Sequence, residues 1–355
     1  MAYTSFQPKD HFQTKIYTGN GTAFGSGGNA LTGVGFQPDL TWIKSRSAGE
    51  DPVVTDSVRG TTKIIRPSGT AAESTASEGL NTFGSDGFTV GNSDQFNTNS
   101  GTYVSWNWKA GTTSGIAGSP SITPTSYSFN ATAGFSIIKY TGTGSAATLP
   151  HGLGTAPQMI IQKNLADTEN WQVYHRYILA WGSEGKERYL TLNTTNGLNT
   201  QTSRWNDTAP TSTLFTIGSD SSVNGSGEDC IAYCFAGVKG YSQFGVFRGI
   251  GDTDGNFIAC GFRPGWILIK QTNTDGQDWF CFDSVRGTRN VNEWEIKTNS
   301  SAAETDANHE LDIFATGFKI KTNGAGLNAG DGTFVYAAFA KHPIVGTNNT
   351  PAVAV

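Results

Sequence analysis

Charge is scarce in this chain. Only 15% of its 355 residues are Asp, Glu, Lys or Arg, the net charge is −5, and no run of Lys or Arg occurs. Binding to a phosphate backbone rests on clustered cations, so nucleic acid is excluded as a partner. Cysteine is limited to Cys230, Cys234, Cys260 and Cys281. On one strand, Cys230 and Cys234 would share a face about 13 Å apart, too far to bridge. The spacing also lacks the His or second Cys pair of a zinc site. Four reduced, mostly buried thiols are expected. Long apolar runs are missing as well: none approaches the ~18 residues that span a membrane. Residues 1–6 have neither a basic start nor an apolar stretch, which predicts synthesis in a cytosol without a secretory leader. Low charge does not here mean disorder, because aromatics reach 12%, and disordered chains are poor in them.

What the chain has instead is glycine, 45 residues of it, and a stretch that it repeats. Gly35-Phe36-Gln37-Pro38-Asp39-Leu40-Thr41-Trp42-Ile43-Lys44 is followed by Asp56-Ser57-Val58-Arg59-Gly60-Thr61. Gly261-Phe262-Arg263-Pro264-Gly265-Trp266-Ile267-Leu268-Ile269-Lys270 is followed by Asp283-Ser284-Val285-Arg286-Gly287-Thr288 at almost the same spacing. A weaker copy lies between them, at Gly154-Thr155-Ala156-Pro157-Gln158-Met159-Ile160-Ile161-Gln162-Lys163. Repetition at this scale outranks any single motif in reading a fold.

The copies place the boundaries. Residues 1–11 are an N-terminal arm, with Tyr3 and Phe6 as candidates for docking on a partner. Copy one spans 12–111. Residues 112–133, rich in Thr, Ser, Gly and Pro, read as a linker. Copy two spans 134–240, copy three 241–343, and 344–355 form a C-terminal tail, extended or disordered. Copies two and three have almost no linker between them and are expected to pack as a pair, with copy one set apart. Short period-two segments recur between Gly-rich turns, and no convincing 3.6-residue apolar period runs through three turns. The prediction is an all-β protein of three tandem antiparallel β-sandwich repeats of jelly-roll type. Pro38, Pro157 and Pro264 should stand at the start or edge of a strand, since Pro cannot donate to a central ladder.

Candidate chemistry is thin. The five histidines occupy different positions in the copies and no nucleophile or metal spacing. Asp56 and Asp283, each three residues before an Arg, are expected to close turns as Asp–Arg pairs, with Glu73 and Glu304 as further recurring acids. Two glycosidase carboxylates would have to face each other about 5–9.5 Å apart. Asp252-Thr253-Asp254-Gly255-Asn256 resembles the first half of a calcium loop through Asp252, Asp254 and Asn256 but lacks the distal Glu. Asp-Gly is also the strongest short hairpin-turn signal, so a plain turn is favoured over a structural calcium ion, and no other cofactor is implied. Trp42, Trp106, Trp108 and Trp266 fall within strands and read as core. Trp171 and Trp279, near strand edges, are the candidates for exposed binding contacts.

Tyr17-Thr18-Gly19-Asn20-Gly21, the signature at 34–44, Asp56-Ser57-Val58-Arg59-Gly60, Gly84-Ser85-Asp86-Gly87-Phe88 and Trp106-Asn107-Trp108-Lys109-Ala110-Gly111 together resemble a repeat domain of tailed-bacteriophage virion proteins. That domain is met often in phages of marine and cyanobacterial hosts, as tail fibre or structural protein. The resemblance is close over 12–111 and 243–343 and partial over 134–239. It implies a concanavalin-A-like sandwich in a virion component assembled in the host cytoplasm. It implies other virion proteins and copies of itself, as a homotrimer or higher assembly, for partners, and a host-surface glycan as a further one. A non-enzymatic tail fibre or receptor-binding protein is the expected role. A capsid decoration or cement protein is the alternative, and a polysaccharide depolymerase a further one.

Overall fold

The structure, a computed structural model, describes residues 6–178, 186–288 and 290–342. The chain is all-β and its sheets are antiparallel; no described α-helix exceeds four residues. One strand order recurs in each copy. The opening strand pairs with the closing strand, the closing strand with the signature strand, and the signature strand with the one after it. In copy one these are Phe12–Thr18, Thr102–Trp108, Leu40–Ser45 and Val53–Asp56. In copy two they are Phe135–Thr141, Asp229–Phe235, Met159–Asn164 and Gln172–His175. In copy three they are Ser242–Arg248, Thr333–His342, Arg263–Gln271 and Trp279–Asp283.

Register is kept as well as order. Trp108 stands opposite both Phe12 and Leu40, Phe235 opposite Phe135 and Met159, and Phe339 opposite Ser242 and Trp266. Pro38 and Pro157 precede their strands. Pro264 is the second residue of its own, where the ladder slips register, so none of the three interrupts a regular ladder.

The signature strands do not show the half-buried alternation of a sheet with one wet face: every residue of Leu40–Ser45 and Met159–Asn164 is buried. Alternate side chains serve two different cores. On one face, Ile43 and its sheet neighbour Val53 pack with Leu31 and Phe88 of the outer strands of copy one. Ile160 does the same with Leu149, Phe215 and Ile217, and Ile269 with Ile313 and Phe318. On the other face, Leu40, Trp42, Trp106 and Trp108 meet Ile161, Tyr233 and Phe235 of copy two and Trp266, Leu268 and Phe339 of copy three in one shared cluster. Fully burying one such side chain is worth roughly 1.5–3 kcal/mol.

Two expectations are corrected by this packing. Copy one is not set apart from a pair formed by copies two and three. Its sheet has a second apolar face, which packs against copies two and three. Nor is 112–133 a bare linker. Ser126–Asn130 pairs with Phe135–Thr141 as an added edge strand, and Phe129 bridges back to Thr112. The alternation of Tyr127 and Phe129 with Ser126, Ser128 and Asn130 suits an edge strand, although the polar composition hides it.

Tight turns recur where side chains cannot fit. Gly87 sits at φ 145°, and a Cβ there would run into the Leu31 carbonyl oxygen; a Cβ on Gly317 would meet the Ile258 oxygen in copy three.

Candidate functional site

The recurring charges lie at the junctions between copies. Asp56 accepts from the Arg59 amide at 2.8 Å and from Arg59 Nε at 2.5 Å, and Asp283 accepts from Arg286 in the same way at 2.8 and 2.6 Å. The expected turn-closing pairs are therefore present. Glu73 reaches Arg59 at 3.2 Å and Glu304 reaches Arg286 at 2.8 Å. The neighbouring carboxylates hold both guanidinium pKa values above their usual range despite burial.

Each pair is completed by another copy. Tyr233 Oη of copy two donates to Asp56 at 2.7 Å, and Trp106 Nε1 of copy one donates to Asp283 at 3.1 Å. Copy two has His175 at this position, and its Nε2 lies 3.2 Å from the Tyr336 carbonyl oxygen of copy three. The Tyr177 amide bonds to Nδ1, so Nε2 carries the proton. The contacts run in one cyclic sense, two to one, one to three, three to two.

Three buried lysines repeat that cycle. Lys44 Nζ donates to its neighbour's Ser45 oxygen at 2.9 Å and to Ser301 of copy three at 3.1 Å. Lys163 Nζ donates to the Asn164 oxygen at 2.7 Å and to Thr70 of copy one at 3.1 Å. Lys270 Nζ donates to the Gln277 oxygen and, at 3.1 Å, to Thr195 of copy two. Burial pushes all three ammonium groups down to about 8. One backbone bond accompanies each lysine: Glu304 to Arg46 at 3.0 Å, Glu73 to Leu165 at 2.9 Å, and Leu198 to Thr272 at 2.6 Å. These lysines end the repeated signature, and their recurrence in an otherwise apolar strand was the signal for them.

The residues singled out for binding sit elsewhere than expected. Trp171 and Trp279 are not exposed: they are 1% and 2% accessible. Trp171 Nε1 donates to the Arg66 oxygen of copy one, and Trp279 Nε1 to the Thr191 oxygen of copy two, each at 3.0 Å. An indole at a strand edge is exposed only where no other copy packs against that edge, and here one does. Phe6 packs edge-on to His11 and Tyr241, at 4.6 and 5.1 Å between ring centres, so it docks on its own chain; Tyr3 and the tail 344–355 lie outside the described residues.

The Asp252 loop has a counterpart in each copy. Asn328 Nδ2 donates to the Asp252 oxygen at 2.6 Å and Asn328 Oδ1 accepts from Ile250 at 2.9 Å. Asn97 holds the turn at Asn20 and Thr22, and Asn224 the turn at Thr143 and Ser145, in the same manner. Asp254 is paired with Lys319 and Lys321 at 2.7 and 3.0 Å, which draw its carboxyl below the usual range, and Asn256 Nδ2 donates to the Arg248 oxygen. No group of His, Cys, Asp or Glu side chains placed to hold a metal occurs among the described residues. All four cysteines are free and buried.

Two surface features differ between copies. Phe257 and Phe314 are 48% and 39% exposed and lie edge-to-face at 5.8 Å on the outer strands of copy three. By register, copy one has Ala30 and Gly84 there. The second feature is a groove of about 540 Å³ where copy one meets Ser126–Asn130. Asp39 is its floor. The carboxylate accepts from Ser57 Oγ at 2.7 Å, the Ala110 amide at 2.8 Å and Ser128 Oγ at 3.4 Å, and burial pushes its pKa up against these bonds. Gln37, Lys109, Thr113 and Tyr127 complete the walls.

No curated protein and no solved structure matches the chain. One family does, over residues 7–343, a span that takes in all three copies and the strand between the first two. The chain belongs to that family, DUF7483, whose description is a domain of unknown function.

Proposed function

We propose that the protein is a non-catalytic structural component of a tailed-phage particle, built as three tandem β-sandwich units closed into a ring. Its role in this reading is host adhesion, as a tail-fibre or receptor-binding component. The observation that carries the reading is the use made of the recurring charges. Asp56 and Asp283 accept from Tyr233 and Trp106 of another copy, Glu304 pairs with Arg46 of copy one, and the three buried lysines donate to backbone oxygens of the adjoining copy. A duplicated acid–arginine pair bound in this way supports a scaffold, with binding left to loops and grooves at the surface. The groove at Asp39 holds one carboxylate, where a depolymerase would need two facing acids. The phage context rests on the sequence resemblance.

Capsid decoration is the second reading, and one observation favours it. No described helix is longer than four residues, so none can supply the coiled-coil stalk of a trimeric fibre. The three copies also provide within one chain the arrangement that a homotrimer would provide with three. Immunogold labelling of intact particles tests the choice. Label at the tail is the expected result; label on the capsid lattice with none at the tail rejects adhesion and leaves decoration.

A further inference from the structure

The cyclic contacts account for the recurring buried charges, but not for the groove at Asp39. We propose that this groove binds a neutral, polyhydroxylated ligand of the saccharide class. The inference deepens the adhesion reading and rests on it.

The groove's size and chemistry carry the proposal together. At about 540 Å³ it falls within the ~300–1,000 Å³ of small-molecule sites. Its lining carries hydroxyls from Ser57, Thr113, Thr125, Ser126, Tyr127 and Ser128. Ser57 Oγ commits its proton to Asp39 at 2.7 Å; its lone pairs stay open, making it a fixed acceptor for a ligand hydroxyl. Gln37 and Lys109 also line the groove, and among the described residues no hydrogen bond holds either side chain, so an amide and an ammonium are available there as donors. One carboxylate and one ammonium leave no net charge to select an ion.

The site is held before any ligand arrives. Asp39 ties the Ala110 amide and Ser128 together, and the Gly111 amide donates to Ser128 Oγ at 2.8 Å. A floor fixed in this way loses little entropy on binding. It is also unique within the ring. Copy two has Gln158 at the position of Asp39, with its amide spent on Tyr177 at 3.3 Å, and copy three has Gly265. Among the described residues, only copy two carries the added edge strand that forms the opposite wall.

The test is titration of the full chain with neutral glucose-, galactose- and mannose-terminated oligosaccharides, and with a sialylated one, read by saturation-transfer NMR and calorimetry. At least one neutral oligosaccharide is expected to bind. Gln37→Ala and Lys109→Met should each weaken it by about tenfold while thermal melting stays unchanged. No binding to any neutral saccharide overturns the proposal. So does binding that neither substitution affects, or a preference for the sialylated probe. Particle labelling separates the two claims. A chain at the tail that binds no neutral sugar sinks the groove alone, and a chain on the capsid sinks adhesion whatever the titration gives.

Discussion

The hydroxyl of Tyr233 donates to Asp56 at 2.7 Å across the junction of copies two and one, and Trp106 stands in the same relation to Asp283 at 3.1 Å across the junction of copies one and three. A phenol in one copy and an indole in another satisfy carboxylates at equivalent positions of the adjoining copies. Tyr233→Phe removes a bond to a charged acceptor without creating a cavity. We expect it to lower unfolding free energy by roughly 1.5–3 kcal/mol, measured by urea denaturation. A loss within about 0.5 kcal/mol would show that Arg59 and the Val58 amide satisfy Asp56 without it.

The shared core predicts that the copies do not fold alone. Residues 12–111, expressed by themselves, expose Leu40, Trp42, Trp106 and Trp108, which the other copies cover in the whole chain. The fragment should aggregate, or bind a hydrophobic dye without a cooperative melt. A sharp two-state melt of this fragment would refute the dependence.

Alkaline pH should act through the lysines. Their folded pKa of about 8 lies below the unfolded value of about 10.4. Between these limits the unfolded chain binds more protons, so this contribution makes stability rise with pH, by up to about 1.4 kcal/mol per unit for each lysine. The four buried thiols, whose pKa burial raises, contribute with the opposite sign. The difference between wild type and Lys163→Met isolates the lysine: the variant's denaturation profile should rise less steeply between pH 8 and 10, by the share of one lysine. Parallel profiles would place the ammonium in a more solvated setting.

Acid acts through His151 and His175. Burial pushes both down to about 4, while His151 Nε2 stays bonded to the Thr211 oxygen and His175 Nε2 to Tyr336. Below the unfolded value of about 6.5 the unfolded chain takes up protons that the folded one refuses. Stability present above pH 6.5 should fall toward pH 4, by up to about 1.4 kcal/mol per unit for each histidine. His175→Gln keeps a donor and removes the titration, so its denaturation profile should be flatter over that range; an unchanged slope would remove His175 from the explanation.

At Gly87, alanine meets both a positive φ and the Leu31 carbonyl. Gly87→Ala should destabilise by more than about 1 kcal/mol, and Gly317→Ala, against the Ile258 oxygen, should do likewise. Thermal melts of the two variants check whether the paired turns are equally tight.

The sequence by itself determined the strands, their recurrence and the turn-closing pairs. Those are local properties: period-two alternation in Val53–Asp56, a Pro before Leu40 and Met159, an Asp three residues before Arg59 and Arg286. Tertiary structure decided which face of each strand meets which copy. Both faces of Leu40–Ser45 are apolar enough to bury, and nothing within a single copy shows that Trp42 faces the other copies while Ile43 faces its own. Trp171 and Trp279 read as exposed for the same reason, since their cover comes from Arg66 and Thr191, far along the chain. The groove at Asp39 was equally out of sight. It needs a carboxylate from one copy and a strand hidden in a polar linker, and only packing brings the two together.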